Sequence, residues 1–259
     1  MLELTWYGNA SVKAKLPEGS IVFDPFISRN ADHAKLEPEE LADAKAVFVT
    51  HGHFDHVADL GLFASKLGIP VYAPAEVTAS LRKNKDFAQG QLRPIHPGES
   101  LSVGGASVMV YAANHIHFDL ALVASTMRRA LLPRNLRSLA AMIRLHAAFP
   151  MGRCVAYLLE ADGKRLLHFG SLALDPAESY PQALDVLSLP FQGSSYLDHY
   201  ALDAVRRLQP RNVYLHHFDD AFPPLSQDVP LDAMRHGMER DFPDRPLLIP
   251  EYRKALVIQ

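Results

Sequence analysis

An apolar run, Ala44-Lys-Ala-Val-Phe-Val-Thr50, leads straight into His51-Gly-His53-Phe-Asp55-His56. The run reads as a buried strand, so four side chains able to bind a metal arrive together at one strand end. Residues two apart on a strand point the same way, which puts His51 and His53 on one side. Gly52 between them permits a tight bend, and Asp55 and His56 begin the next helix. This spacing presents two ligand pairs to two neighbouring sites. Imidazole combined with carboxylate suits Zn²⁺ and, less specifically, Fe²⁺ or Mn²⁺. A solvated polar turn that happens to be rich in histidine is the alternative.

The flanking sequence reads as an α/β chain. Strands are predicted over "LELTWYG", "SVKAKL" and "SIVFDPF", joined by Gly, Asn and Pro turns. "VADLGLFASKLG" has helical spacing and a Gly stop. "IPVYAP" reads as a strand, "AEVTASLRKN" as a helix and "ESLSVGGASVMVYAAN" as two strands around Gly-Gly. Residues 119–150 differ: they are apolar, helical in pattern and broken once at Pro133. From Leu120 to Pro150 they carry five arginines and no acidic residue. Beyond them "CVAYLLEADGKRLLHFGS" reads as a hairpin turning at Asp162-Gly163. It is followed by "ALDVLSLP", a helix over "LDHYALDAVRRLQ", the strand "RNVYLHH" and a last helix, "PLDAMRHGMERD". One domain over 1–259 with a helical insertion at about 119–150 is the economical organisation.

Composition narrows the function classes. A net charge of −3 gives no footprint for nucleic acid. No run approaches the roughly 18 apolar residues of a spanning helix, and the N-terminal stretch lacks the apolar core of a signal peptide. Cys154 is the only cysteine, which rules out an intrachain disulfide and makes a reducing cytoplasm the default. It reads as a small core residue on a strand, with no activating base near it.

"THGHFDH" matches the HxHxDH signature of the metallo-β-lactamase superfamily, and the chain resembles that family over nearly its whole length. "LTWYGNASVKAKLPEGSIVFDPF" and "NVYLHHFDDAFPP" are similar to the opening and closing motifs of its stand-alone hydrolase branch. That branch includes ascorbate-6-phosphate lactonase-like and N-acyl-phosphatidylethanolamine phospholipase D-like proteins. The resemblance implies a four-layer αββα sandwich, with two mixed β-sheets between outer helices. It implies that His51 and His53 bind a first metal with a histidine from "VYAANHIHFD", where His115 is preferred to His117. Asp55 and His56 would bind a second metal with a histidine from "YLHHFDD", where His217 is preferred to His216. Asp24 matches a buried aspartate that supports the metal loop.

One position departs from the pattern. The family bridges its metals with an aspartate in a Gly-Asp step, and here Gly170 is followed by Ser171. A neutral hydroxyl is a much weaker ligand for a hard dication. Ser171 could leave both ions bridged only by water, or weaken the second site, or end catalysis; Asp175 could reach in if its loop folds back. The expectation is therefore one or two ions, with zinc first and Mn²⁺ or Fe²⁺ as alternatives.

The expected activity is metal-dependent hydrolysis of a small, anionic ester, lactone or phosphodiester through a metal-bound hydroxide. Asp55 would orient the nucleophile, and His117 would serve the leaving group, with His168 a weaker candidate. The alternative is a non-catalytic or mono-metal ligand-binding protein on the same fold. Arg128, Arg129, Arg134, Arg137 and Arg144 of the insertion could attract an anion, and its apolar face could hold an acyl chain or rest on a membrane. It could equally complete the core or a dimer interface. Ser194 and Ser195 lack the strand–turn–helix context of a nucleophile; Asp198 is a plausible helix cap, and Tyr196 and His199 read as surface residues. The expected partner is a small molecule, anionic or acyl-bearing, with a homo-oligomer open and no nucleic acid.

Overall fold

In the computed structural model, residues 1–26, 38–83, 87–88, 90–220 and 222–258 are described. Among these described residues, fourteen strands form two sheets of seven. The first half of the chain builds one sheet from β1 (Leu2–Trp6), β2 (Val12–Leu16), β3 (Gly19–Phe23), β4 (Ala44–Phe48), β5 (Val71–Pro74) and β6 (Leu92–Ile95). The second half builds the other from β7 (Ser100–Val103), β8 (Ala106–Ala113), β9 (Cys154–Ala161), β10 (Lys164–Phe169), β11 (Val186–Pro190), β12 (Asn212–His216) and β13 (Leu247–Leu248). The last strand, β14 (Ala255–Ile258), returns to pair antiparallel with β1.

Both sheets are mixed. β3 to β6 and β10 to β13 run parallel, and the remaining pairs run antiparallel. The parallel strands are covered on both faces, as β5 and β11 show by being buried at every position. Between the sheets lies a core of Leu4, Trp6, Phe23, Phe48, Val108 and Tyr157, among others. Helices α1 (Phe54–Val57), α2 (Leu60–Leu67) and α3 (Ala75–Leu81) lie in the first half of the chain, where Leu60, Val77 and Leu81 pack against β4 and β5. α4 (Leu120–Ala130) and α5 (Leu136–Ala148) connect β8 to β9, separated by a 3-10 turn at Pro133–Asn135. α6 (Leu197–Leu208) and α7 (Asp232–Asp241) cover the second sheet through Ala201, Val205, Met234 and Met238. The result is the expected αββα sandwich.

Several local expectations change. β6, β13 and β14 were not read from the sequence. α6 begins at Leu197 with Tyr196 as its cap residue, so Asp198 lies inside the first turn instead of capping it. The acidic group at this corner is Asp119, which caps α4 by accepting from Leu122 N–H (3.0 Å) and also accepts from Ser195 N–H (2.6 Å). These donors hold its carboxyl below the usual carboxylate range, the Ser195 amide most strongly. Ser194 and Ser195 therefore pin two segments together. Among the described residues no helix is long and apolar enough to cross a membrane.

Candidate metal centre

Three strand ends converge at one end of the sandwich. The loop after β4 carries His51 to His56, the residues after β8 carry His115, and the residue after β12 is His217. These side chains form two groups, His51, His53 and His115, and Asp55, His56 and His217. Within each group the potential ligand atoms all lie within 4.8 Å of one another.

The donor spacing fits metal ions. His51 Nε2 and His53 Nδ1 are 3.2 Å apart, as are His217 Nε2 and Asp55 Oδ2. Two donors at tetrahedral positions about 2.0–2.1 Å from one zinc ion would be separated by about 3.3 Å. The two groups are neighbours, with the rings of His51 and His56 centred 4.0 Å apart.

A layer of fixed contacts orients the rings. Thr50 Oγ1 lies 3.0 Å from His51 Nδ1, and His115 Nδ1 donates to Ile116 O at 2.7 Å. His56 Nδ1 lies 2.9 Å from Asp24 Oδ2. Each contact engages one ring nitrogen and leaves the other for the centre. Asp24 is fully buried and also accepts from Thr50 N–H (2.8 Å) and Thr50 Oγ1–H (2.7 Å). It supports the loop as expected. Gly170 packs directly beneath, where a Cβ would meet Thr50 Oγ1 at 1.8 Å.

Gly52 has a different reason from the bend expected of it. Its N–H donates to Met151 O at 2.7 Å, and a Cβ would stand 2.2 Å from Pro150 O. The chain leaving α5 lies across the metal loop, and only a glycine leaves room for it.

The electrostatics favour a cation. Burial pushes the His53 imidazole down to about 3, and burial plus the neighbouring imidazoles hold His51 and His115 low. These rings are neutral at pH 7, with lone pairs free for a metal. Burial also depresses His56, but Asp24 and Asp55 together outweigh it and raise that group. Burial alone would raise Asp55; His56 and His217 instead hold its carboxyl below the ordinary range.

The remaining candidates separate. His217 has a positive φ of 56° and its N–H donates to Asn9 O at 2.8 Å, which turns it into the centre. His216 faces the core, stacked 4.8 Å from His168. His168 is itself buried, stacked 4.2 Å from Phe23, with Nδ1 3.0 Å from Ser188 Oγ. Burial pushes it down to about 4. It packs as a core histidine and does not line the cavity. His117 needs the same correction. It is exposed and outside the cavity lining, because Asn114 N–H and Ile116 N–H are tied to Ala173 O and Ser171 Oγ, which brings His115 and Ile116 inward and leaves His117 outside. Ser171 lines the cavity, and its Oγ accepts from Ile116 N–H at 2.9 Å. Asp175 accepts from Ala177 N–H in a local turn and does not line the cavity.

Three neighbours escaped the sequence. Thr50 links Asp24 to His51. Asn9 donates from Nδ2 to Asp55 O at 2.7 Å, while its own N–H is bound by Asp219 at 2.9 Å. His146 of α5 reaches the cavity, its ring 5.4 Å from that of His53. "GNAS" is at least a turn signal; a lone histidine on an amphipathic helix gives none.

The cavity over both groups has a volume of 580 Å³, within the roughly 300–1,000 Å³ of small-molecule sites. None of the five arginines of 119–150 lines it. Arg129 instead donates to Leu225 O and Gln227 Oε1, each at 3.0 Å.

Residues 20–218 match the family model described as "Beta-lactamase superfamily domain". A metal-dependent hydrolase of Exiguobacterium sp. is 26% identical over 232 residues, covering 88% of this chain and 90% of its own. One from Myxococcus xanthus is 27% identical over 259 residues, covering 96% and 81%. Among solved structures, a metallo hydrolase from the archaeon Ignicoccus hospitalis superposes with a TM-score of 0.66 at 17% identity, covering 98% and 97% of the two chains. The metallo-beta-lactamase fold protein YhfI from Bacillus subtilis gives 0.62 at 15% identity, covering 99% and 100%.

Proposed function

Because this chain belongs to the beta-lactamase superfamily, we propose that it is a metal-dependent hydrolase, cleaving a small ester, lactone or phosphodiester at the base of the cavity. The observation that carries this proposal is the pair of three-ligand groups sharing one cavity floor. The curated relatives' names as metal-dependent hydrolases support it. His51, His53 and His115 would hold one ion, and Asp55, His56 and His217 a second. The mixed imidazole and carboxylate donors favour zinc, with Mn²⁺ and Fe²⁺ next. The same proposal takes residues 1–259 as one domain with the insertion at 119–150, since the ligands come from strand ends of both sheets.

A bound divalent ion supplies a water acidified to a pKa of about 7 and an electrophile for the carbonyl or phosphoryl oxygen under attack. The chain supplies position. Asp24 and Thr50 fix the rings of His56 and His51, so neither has to reorganise during turnover. Asp55 stays a carboxylate because His56 and His217 stabilise its charge, and it orients the attacking water.

A mono-metal centre is the second reading, favoured by Ser171, whose hydroxyl is engaged by Ile116 N–H and brings no charge. Elemental analysis of protein purified without added metal, beside a Ser171→Asp variant, separates the two. Two ions per chain support a binuclear hydrolase; one ion rising to two in the variant supports the mono-metal form. Full turnover of ester substrates by chelator-stripped protein, or by His53→Ala, would overturn the metal-dependent mechanism.

A further inference from the structure

The cavity has two unlike walls. Its floor is imidazole and carboxylate. Its outer wall comes from α4 and α5, and each helix turns the same stripe inward: residues 122, 123, 126 and 127, and residues 142, 143, 146 and 147. That i, i+1, i+4, i+5 spacing is one helix face. Most of the stripe is apolar, with Leu122, Val123, Met127, Met142 and Ile143 at its centre.

These side chains do not complete a core. α5 has no fully buried residue, and α4 has only Ala130. Val123, Met127 and Ile143 remain 43%, 40% and 58% exposed, and Phe118 at the rim 54%. Apolar surface that faces a cavity and stays in water is the surface a ligand removes from water. Charge points the same way. Five arginines lie on these helices and their connection, yet none lines the cavity; Thr126 and His146 are the polar groups the stripe contributes. A wall built for an anion would have the opposite arrangement.

We infer that the substrate carries an uncharged apolar group, acyl or aryl, that lies along the α4–α5 wall while its scissile bond faces the two ligand groups. The scissile-bond half rests on the hydrolase proposal; the apolar-group half rests on the wall alone. Each methylene moved from water onto this half-open surface strengthens binding roughly two- to fourfold.

Two measurements test the halves separately. In the first, the neutral fluorescent probe N-phenyl-1-naphthylamine is bound to the full chain and displaced by 1-hexanol, 1-octanol and 1-decanol. Affinity should rise roughly two- to fourfold per methylene. Ile143→Gln and Met127→Gln should flatten that rise, while Leu120→Gln, 86% exposed and outside the cavity lining, should keep it. Circular dichroism melting confirms that each variant is folded. In the second, zinc-loaded protein is assayed with p-nitrophenyl acetate, butanoate, hexanoate and octanoate, and kcat/KM should climb with chain length. Displacement independent of chain length, or no probe binding by folded protein, overturns the apolar wall. Turnover that is fastest with acetate also overturns it and leaves the hydrolase proposal standing. A rising alcohol series without hydrolysis of any ester supports the wall and counts against the hydrolase.

Discussion

Asp24→Asn changes one atom in the most constrained part of the site. Asp24 Oδ1 accepts from Thr50 N–H at 2.8 Å, and asparagine preserves that bond. Asp24 Oδ2 accepts from Thr50 Oγ1–H at 2.7 Å and pairs with His56 Nδ1 at 2.9 Å. In the variant an NH₂ group meets both: it faces His56 Nδ1–H donor to donor, whereas the Thr50 hydroxyl can turn to accept from it. The charged pairing with His56 is lost, at about 1.5–3 kcal/mol, and the Thr50 bond falls to the ~1 kcal/mol of a neutral one. Removing the carboxylate's desolvation cost offsets part of this, leaving a net loss of about 2 kcal/mol. For a chain of this size that lowers the melting temperature by roughly 4–8 °C. Because His56 loses its orienting partner, metal affinity at the Asp55, His56 and His217 group should fall about 10- to 100-fold. Calorimetry on chelator-stripped protein reads the first effect, and competition with a chromophoric chelator reads the second. A variant that melts within ~2 °C of the parent and holds metal equally well would show that Asp24 does not carry the loop.

Gly170→Ala should lose about 3 kcal/mol or more in a denaturant titration, because its Cβ would overlap Thr50 Oγ1 at 1.8 Å and force backbone to move. Asn9→Ala should cost about 2 kcal/mol, as it removes the bond to Asp55 O and leaves alanine at φ 50°; unchanged metal affinity would sink the idea that Asn9 steadies Asp55. Burial, with some help from the Asp24 charge, pushes the Cys154 thiol up to about 12. Native protein at pH 8 should therefore react with a disulfide reagent only at its unfolding rate. The sign for stability follows. The unfolded thiol has a pKa of about 8.5, so the contribution is whole below that pH and is lost as pH rises towards 12, which melting curves across this range will record.

What could be read from the sequence depended on how local each signal was. His51, His53, Asp55 and His56 are contiguous and follow a buried strand, so their convergence needed only strand geometry. His115 was preferred because it follows β8 where the family places its ligand, and His217 because Phe218-Asp219-Asp220 follows it while alternation turns His216 away; the chain turns both inward. His117 was expected at the leaving group but lies outside the cavity lining, because beyond Ala113 bonds to Ala173 and Ser171 decide which side chains face in. Those partners lie more than fifty residues away, and no local pattern announces them. His146 depends on how α5 docks, and β14 on a pairing between opposite ends of the chain. The arginines of 119–150 were plain in the sequence, but their direction was not.

The strap of Pro150 and Met151 over Gly52 sets an order of events during folding. The metal loop is clamped by Gly52 N–H to Met151 O and by Val155 N–H to Thr50 O, contacts that close about a hundred residues of chain. Such closures form late, after local pairing within each sheet. Until they form, the first sheet presents a loose run of histidines, and neither three-ligand group exists. His115 and His217 arrive only with the second sheet. An ion captured by either three-ligand group would stabilise the docked sheets over the separated ones, by about 4 kcal/mol at a thousandfold excess over its dissociation constant. In that role the metal works as a latch between the two halves of the chain, holding their seam closed.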